Sequence, residues 1–201
     1  MQAIRSVAVV ATPLLFVCAP SALGAASKGV SVKINGGSLA IAFSAKAWSA
    51  IDSGSTTAGS HTSAIVPGAE ATPRTFVFPF AKGTLNSVTA LGTLSAKGGL
   101  RTETHLISGL FETASSATAT GPLISISPDG ATLSMNSPNA DPPKLTIFKL
   151  ALAHAKVLGT RHSVTISKIP AILTSAGAPF FLDGSIRAGQ QIATVTIRAK
   201  G

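Results

Sequence analysis

A chain of 201 residues with 45% hydrophobic and 11% charged residues and a net charge of +9 has too much apolar content for a disordered tail. Its charged fraction falls well below the ~25% of an average soluble domain. Ser, Thr, Gly and Ala fill the difference, as in a β protein whose exposed strand faces carry hydroxyls. The basic residues are scattered and have no aromatics interleaved, which argues against nucleic-acid binding. The partners left to such a charge are anionic cell-wall or membrane-surface components.

Arg5 is the first charge, and the next is Lys28. Between them, SVAVVATPLLFVC (6–18) is long enough for a signal-peptide h-region and shorter than the ~20 residues of a spanning helix. Pro20 breaks that run. Gly24-Ala25-Ala26 then meets the need of signal peptidase for small side chains at the last and third-last positions. The spacing predicts a leader over 1–26, cut after Ala26 or Ala25, and a single secreted β-rich domain over 27–201. Val17 before Cys18 does not suit a lipidation site. The mature chain is expected to have no cysteine, no transmembrane segment and no tethering tail, so its core alone must stabilise it.

Along the mature chain, VSVKI (30–34), Asn35-Gly36-Gly37 and SLAIAF (38–43) predict a hairpin, since Asn-Gly tolerates the positive φ of a tight turn. AKAWSAIDS (45–53) predicts a short helix with Ala47, Trp48 and Ile51 on one face. Trp48 reads as a core plug. Gly54 to Arg74 reads as a long loop. ISIS (124–127), Pro128-Asp129-Gly130 and ATLSM (131–135) predict a second hairpin. Asn136 to Lys144 is a Pro-rich loop. TIFKLALAHAKV (146–157) alternates as a strand, which its strand neighbours favour, while its alanines also permit a helix. IPAILTSAG (169–177), with Pro170 in its first turn and Gly177 at its end, predicts a second short helix. APFFL (178–182), Asp183-Gly184 and SIR (185–187) predict a third hairpin, and IATVTIRA (192–199) a closing strand.

Parts of the chain also look alike. LAIAFSAKAWSAI (39–51) parallels VTISKIPAIL (164–173), FPFAKGTL (78–85) parallels FFLDGSI (180–186), and GTLSAKGG (92–99) parallels ATVTIRAKG (193–201). The expected fold is mainly β: an antiparallel sandwich or barrel-like domain with two short helices and a two-fold internal repeat.

Catalytic signatures are missing: there is no H-E-x-x-H, G-x-S-x-G or Walker loop. Asp129 and Asp183 are turn residues. His61 falls in the polar loop. His105 shares an alternating face with Arg101 and Glu103. His154 ends an apolar strand face, and His162 follows the break at Gly159-Thr160-Arg161. A hairpin there would let His154 and His162 face each other, and these two are the candidate cofactor-binding residues. No metal site and no enzyme activity are expected.

Phe78-Pro79-Phe80 with Gly83, Gly92-Thr93-Leu94, Gly98-Gly99-Leu100 and the run from Val164 to Lys200 resemble secreted actinobacterial β proteins related to the HtaA-type haem-uptake domain. The resemblance covers most of the mature chain. It implies haem bound through a Tyr ligand with a His partner before the Gly-Gly-Leu element. This chain has no Tyr, and Lys97 stands at the His position. The expectation is therefore a non-catalytic, exported surface-binding or structural protein without a cofactor, the alternative being a carrier of haem or a small apolar ligand.

Overall fold

The computed structural model describes residues 29–52, 59–108, 111–181 and 186–201. The predicted leader and the Asp183-Gly184 turn lie outside them. In chain order the elements are β1 (Ser31–Ile34), β2 (Gly36–Phe43), α1 (Ala45–Ile51), β3 (Gly59–Ile65), β4 (Ala69–Thr72), β5 (Thr75–Asn86), β6 (Gly92–Ala96), β7 (Gly99–Ser108), β8 (Phe111–Ser127), β9 (Gly130–Asn136), β10 (Lys144–Leu150), β11 (Lys156–Gly159), β12 (Ser163–Leu173) and β13 (Gln191–Lys200). Two 3-10 turns, Leu152–His154 and Ala178–Phe181, complete the set.

Strands form because apolar residues alternate with polar ones over long stretches. Leu39, Ile41 and Phe43 on β2, Phe76, Phe78 and Phe80 on β5, and Val195, Ile197 and Ala199 on β13 all point inward and are buried. Antiparallel pairing runs β5–β2–β13–β12–β10–β9–β8–β6 and returns to β5, closing an eight-stranded barrel. A barrel of eight strands has an interior just wide enough for side chains to fill. Phe78, Ile41, Ile124, Leu133, Ile166 and Val195 pack that interior here. A ligand must therefore sit at a mouth or on the outside.

The remaining strands extend the barrel. The first half of the 17-residue β8 leaves the ring and pairs with β7, and β7 pairs with β3, which makes a three-stranded extension. β4 and β1 flank β5, and β11 flanks β12. No described helix is long and apolar enough to cross a membrane.

The mainly β, barrel-like expectation is met, as are α1, the β8–β9 hairpin and the closing strand. Several local expectations are corrected. β1 and β2 form no hairpin, because both pair with β5, Ile34 with Gly83 and Ser38 with Pro79, so the chain runs straight through Asn35-Gly36-Gly37. Gly37 is still required there: its φ is +97° and a Cβ would lie 1.9 Å from the Arg198 carbonyl oxygen.

The second predicted helix is instead the end of β12, with Ile169, Ala171 and Leu173 buried. Lys168, at φ +58°, takes up a bulge that puts these residues inside. Pro170 lies just past the last β10 partner pair, Leu150 with Ala171, so its missing N–H breaks no ladder bond. APFF is a 3-10 turn. The segment read as a loop over 54–74 contains β3 and β4. The repeat is matched in part: β2 and β12 are both strands, as are β6 and β13, and α1 follows β2 as the 3-10 turn at Ala178–Phe181 follows β12, but the Phe78–Leu85 part of β5 has that turn as its counterpart instead of a strand.

Candidate functional site

Phe43, Trp48, Phe76, Phe148, Phe180 and Phe181 gather at one mouth of the barrel. Phe43, at the end of β2, has ring contacts with Trp48, Phe76, Phe148 and Phe181 at centroid separations of 5.8–6.5 Å. α1 lies over this cluster. Ser44 starts the helix by accepting the Ala47 N–H at its Oγ, and the Asp52 N–H closes it on the Trp48 carbonyl. Ala47 and Ile51 bury one helix face, and half-buried Trp48 plugs the mouth as its position on α1 implied.

α1 also borders a cleft of about 430 Å³, within the ~300–1,000 Å³ usual for small-molecule sites. Ala47, Ala50, Ile186 and Ile192 give it apolar walls, and exposed Lys46 puts a cation on its rim. Alanines at 47 and 50 keep the helix side of the cleft open. Gln190 steadies the opposite wall, its Oε1 accepting the Arg187 N–H.

At its far end, α1 is tied to the extension. The Asp52 carboxylate lies 3.0 Å from His61 Nδ1 on β3. The His61 side chain is 58% exposed and that of Asp52 only 17%. β3 is the outermost strand of the extension, and His61 stands opposite Glu103 on β7. Glu103 in turn pairs with Arg101 on the same face, the solvated strand face expected from their alternation. On the opposite face, Thr62 and Thr102 share a buried hydrogen bond, and Thr104 Oγ1 is buried without a hydrogen-bond partner among the described residues.

The structure does not bring His154 and His162 together. β11 and β12 do form a hairpin, Lys156 with Ser167 and Gly159 with Val164. That register leaves the backbone of His154 beyond one end and His162 in the turn at the other. His162 is exposed, and its carbonyl accepts the Gly201 N–H beside the end of β13. The cleft borders the start of β13, nine residues away at ~3.3 Å per residue, so His162 is roughly 30 Å from it. Lys97 is exposed in the β6–β7 turn, where its N–H donates to the Pro79 carbonyl. The pairing of His61 with Asp52 was missed. Its only trace in the sequence is one acid and one imidazole at the two ends of a Ser/Thr/Gly stretch.

The HtaA family model matches residues 42–198, which takes in α1, the cleft and almost the whole barrel. The chain belongs to the HtaA family. Its barrel aligns with the C-terminal domain of HtaA from Corynebacterium glutamicum at 17% identity and a TM-score of 0.59, covering 87% of this chain and 99% of that one. The N-terminal domain of the same protein aligns at 15% identity and a TM-score of 0.60, covering 83% and 97%. No curated protein matches the chain. At these identities the two solved structures speak for the fold.

Family membership corrects two expectations. The HtaA family is one of haem-uptake domains, so a binding or structural protein of unassigned ligand gives way to the alternative, a haem carrier. The expectation of no cofactor falls with it. That expectation rested on the missing tyrosine and on Lys97. Those two positions describe one way of holding iron and leave the rest of a binding cleft untested.

Proposed function

We propose that this chain is an exported haem-binding domain that carries haem without transforming it. The HtaA family match over α1 and the barrel carries this reading. The residues present fit haem in kind. A flat apolar ring suits the walls made by Ala47, Ala50, Ile186 and Ile192, and a carboxylate on its edge suits Lys46. Bound haem would supply an iron that takes an axial donor from the protein. The filled barrel gives the cleft a floor, and the aromatic cluster fixes α1, so the helix backbone that carries Lys46 and Ala50 is held in place before a ligand arrives.

The experiment is an absorbance titration of the purified protein with ferric haem. A saturable Soret band at one haem per chain is expected. Absorbance that rises linearly, as for haem added to buffer, would refute the reading. Lys46→Glu should weaken binding, since it puts a negative charge beside the propionates.

This reading includes export by cleavage after Ala26 and residence outside the cytoplasm as one domain over 27–201. N-terminal sequencing of secreted protein should begin at Ser27 or Ala26, and an intact Met1 would refute it. Anionic wall or membrane-surface components remain the proposed partners. Exposed Lys33 and Lys82 border one groove on the outer barrel face and support that choice. Co-sedimentation with purified cell wall should fall in a Lys33→Glu/Lys82→Glu variant.

A further inference from the structure

We infer that the mouth of the barrel opposite α1 docks onto an anionic lipid surface through an apolar tip formed by the β5–β6 turn, the start of β1 and β11. This rests on the export and the anionic partner proposed above, narrows that partner to a membrane, and does not depend on haem.

Large exposed apolar side chains are few, and they are not scattered. Of the six among the described residues, Val30, Val88, Leu91, Val157 and Leu158 stand at this mouth, and only Val66 lies elsewhere. Ser87 ties them together. Its N–H donates to the Val30 carbonyl, and its Oγ accepts the Val30 N–H at 3.0 Å. A Cβ on Gly159, next to Leu158, would lie 1.8 Å from the Ser87 carbonyl oxygen, so β11 packs directly against the turn. Val30, Val88 and Leu158 each keep half or more of their surface in water. Single exposed valines need no explanation, but a cluster at one end of a molecule marks an interaction surface.

The surrounding charge selects the partner. Arg161 in the β11–β12 turn, Lys200 at the end of β13 and Lys156 at the start of β11 are exposed and lie around the tip. Asp129, in the β8–β9 turn, is the one acid among the described residues at this end. A basic rim around an apolar tip complements an anionic headgroup layer, where the cations are attracted and the apolar side chains enter the acyl boundary. A second copy of the chain would bring its own basic rim against this one. A wall polymer would use the charge and leave the valines in water.

The tip is also built to leave water. Backbone polar groups that approach hydrocarbon need internal partners. Asn86 Oδ1 accepts the Val88 and Thr89 N–H groups, and the Asn86 N–H donates to the Leu91 carbonyl. In the neighbouring turn, Thr160 Oγ1 accepts the His162 and Ser163 N–H groups. Docked this way, the protein holds the cleft beside α1 roughly 30 Å from the tip along β13, facing away from the lipid.

The test is flotation of the purified protein with vesicles of equal parts phosphatidylglycerol and phosphatidylcholine, and with vesicles of phosphatidylcholine alone. Wild type should float with the anionic vesicles only, and salt should weaken the binding. Val88→Glu/Leu158→Glu should abolish it while the melting curve and the haem titration match wild type, since both side chains are exposed and far from the cleft. Arg161→Ala/Lys200→Ala should weaken it about 30-fold. In Leu158→Trp, which keeps the tip apolar, the added tryptophan emission should shift to shorter wavelength on the vesicles. Vesicle binding that survives Val88→Glu/Leu158→Glu, as binding through the leader would, overturns the inference, and so does binding that ignores lipid charge. A protein that binds purified wall but no vesicle overturns it and leaves the wall partner standing. A dimer that Val88→Glu/Leu158→Glu dissociates, without vesicle binding, overturns it in favour of a face that joins two copies. Haem uptake is read separately, and its absence would overturn the carrier reading alone.

Discussion

Phe43→Ala tests whether the aromatic cluster seats α1. Phe43 is 2% exposed and its ring meets four others, from α1, β5, β10 and the 3-10 turn at Ala178–Phe181. Truncating a buried Phe to Ala costs about 3–5 kcal/mol, and more where the surroundings cannot collapse into the cavity. Barrel strands pinned on both sides by ladders collapse poorly. The edge-to-face contacts with Phe76, Phe148 and Phe181, each worth roughly 0.5–1.5 kcal/mol, are already contained in that measured range and place this site at its upper end. A loss near 4–5 kcal/mol is therefore expected. In a domain of this size each kcal/mol moves the melting temperature by about 2–4 °C, which puts the drop at roughly 8–20 °C. Thermal and urea unfolding followed by circular dichroism measure it. Phe180→Ala serves as the comparison, because among the described residues the Phe180 ring meets only that of Phe181, and it should cost less. A Phe43→Ala protein melting within about 3 °C of wild type, or above Phe180→Ala, would refute the reasoning.

The threonines of the extension make a paired test. Thr62→Val should destabilise by about 1–3 kcal/mol by leaving Thr102 buried and unpaired, whereas Thr62→Val/Thr102→Val should recover most of that loss, as read from denaturant midpoints. Thr104→Val removes a hydroxyl that has no partner among the described residues and should be neutral or stabilising by up to about 1 kcal/mol; a clear loss would show that the hydroxyl is in use. Gly37→Ala should cost more than Gly189→Ala: both glycines have positive φ, but only at Gly37 would the new methyl strike backbone, while Gly189 has open space. Arg101→Ala should change stability by less than about 1 kcal/mol, because its ion pair with Glu103 is solvent-exposed.

The sequence made the strands legible wherever one face is buried. β13 and the β8–β9 hairpin were readable because Val195, Ile197, Ile124 and Leu133 recur with period two and the turn residues stand at the right place. Long-range pairing was not readable. Asn35-Gly36-Gly37 has hairpin chemistry, but β5 is long enough to pair with β1 and β2 end to end, and local residues carry no sign of that. Pro170 and Gly177 imitate helix boundaries, and the bulge at Lys168 that makes Ile169–Leu173 a strand has no compositional mark. The family motifs showed the same limit. Phe78 and Phe80 fill the barrel, and Gly98 sits in a turn where a Cβ would lie 1.8 Å from the Pro67 carbonyl oxygen. They specify architecture, which is why they revealed the fold and left the ligand open. The site depends on α1 and residues 186–192, segments that meet only after folding.

The position of β13 between β2 and β12 also governs when the molecule can exist as a barrel. Leu39 pairs with Ile197 and Phe43 with Ala193, so the seam joins an early strand to a late one. Contacts this distant along the chain make folding slow, on the scale of milliseconds to seconds. A chain threaded through a membrane from its amino end would present β2 long before β13 emerged. Until then the edges of β2 and β12 facing the gap would be open for pairing with other chains. Under the export proposed above, such a delay would keep the chain unfolded and threadable during transit. It also makes release of residues 191–200 the event that closes the barrel and completes the wall of the cleft.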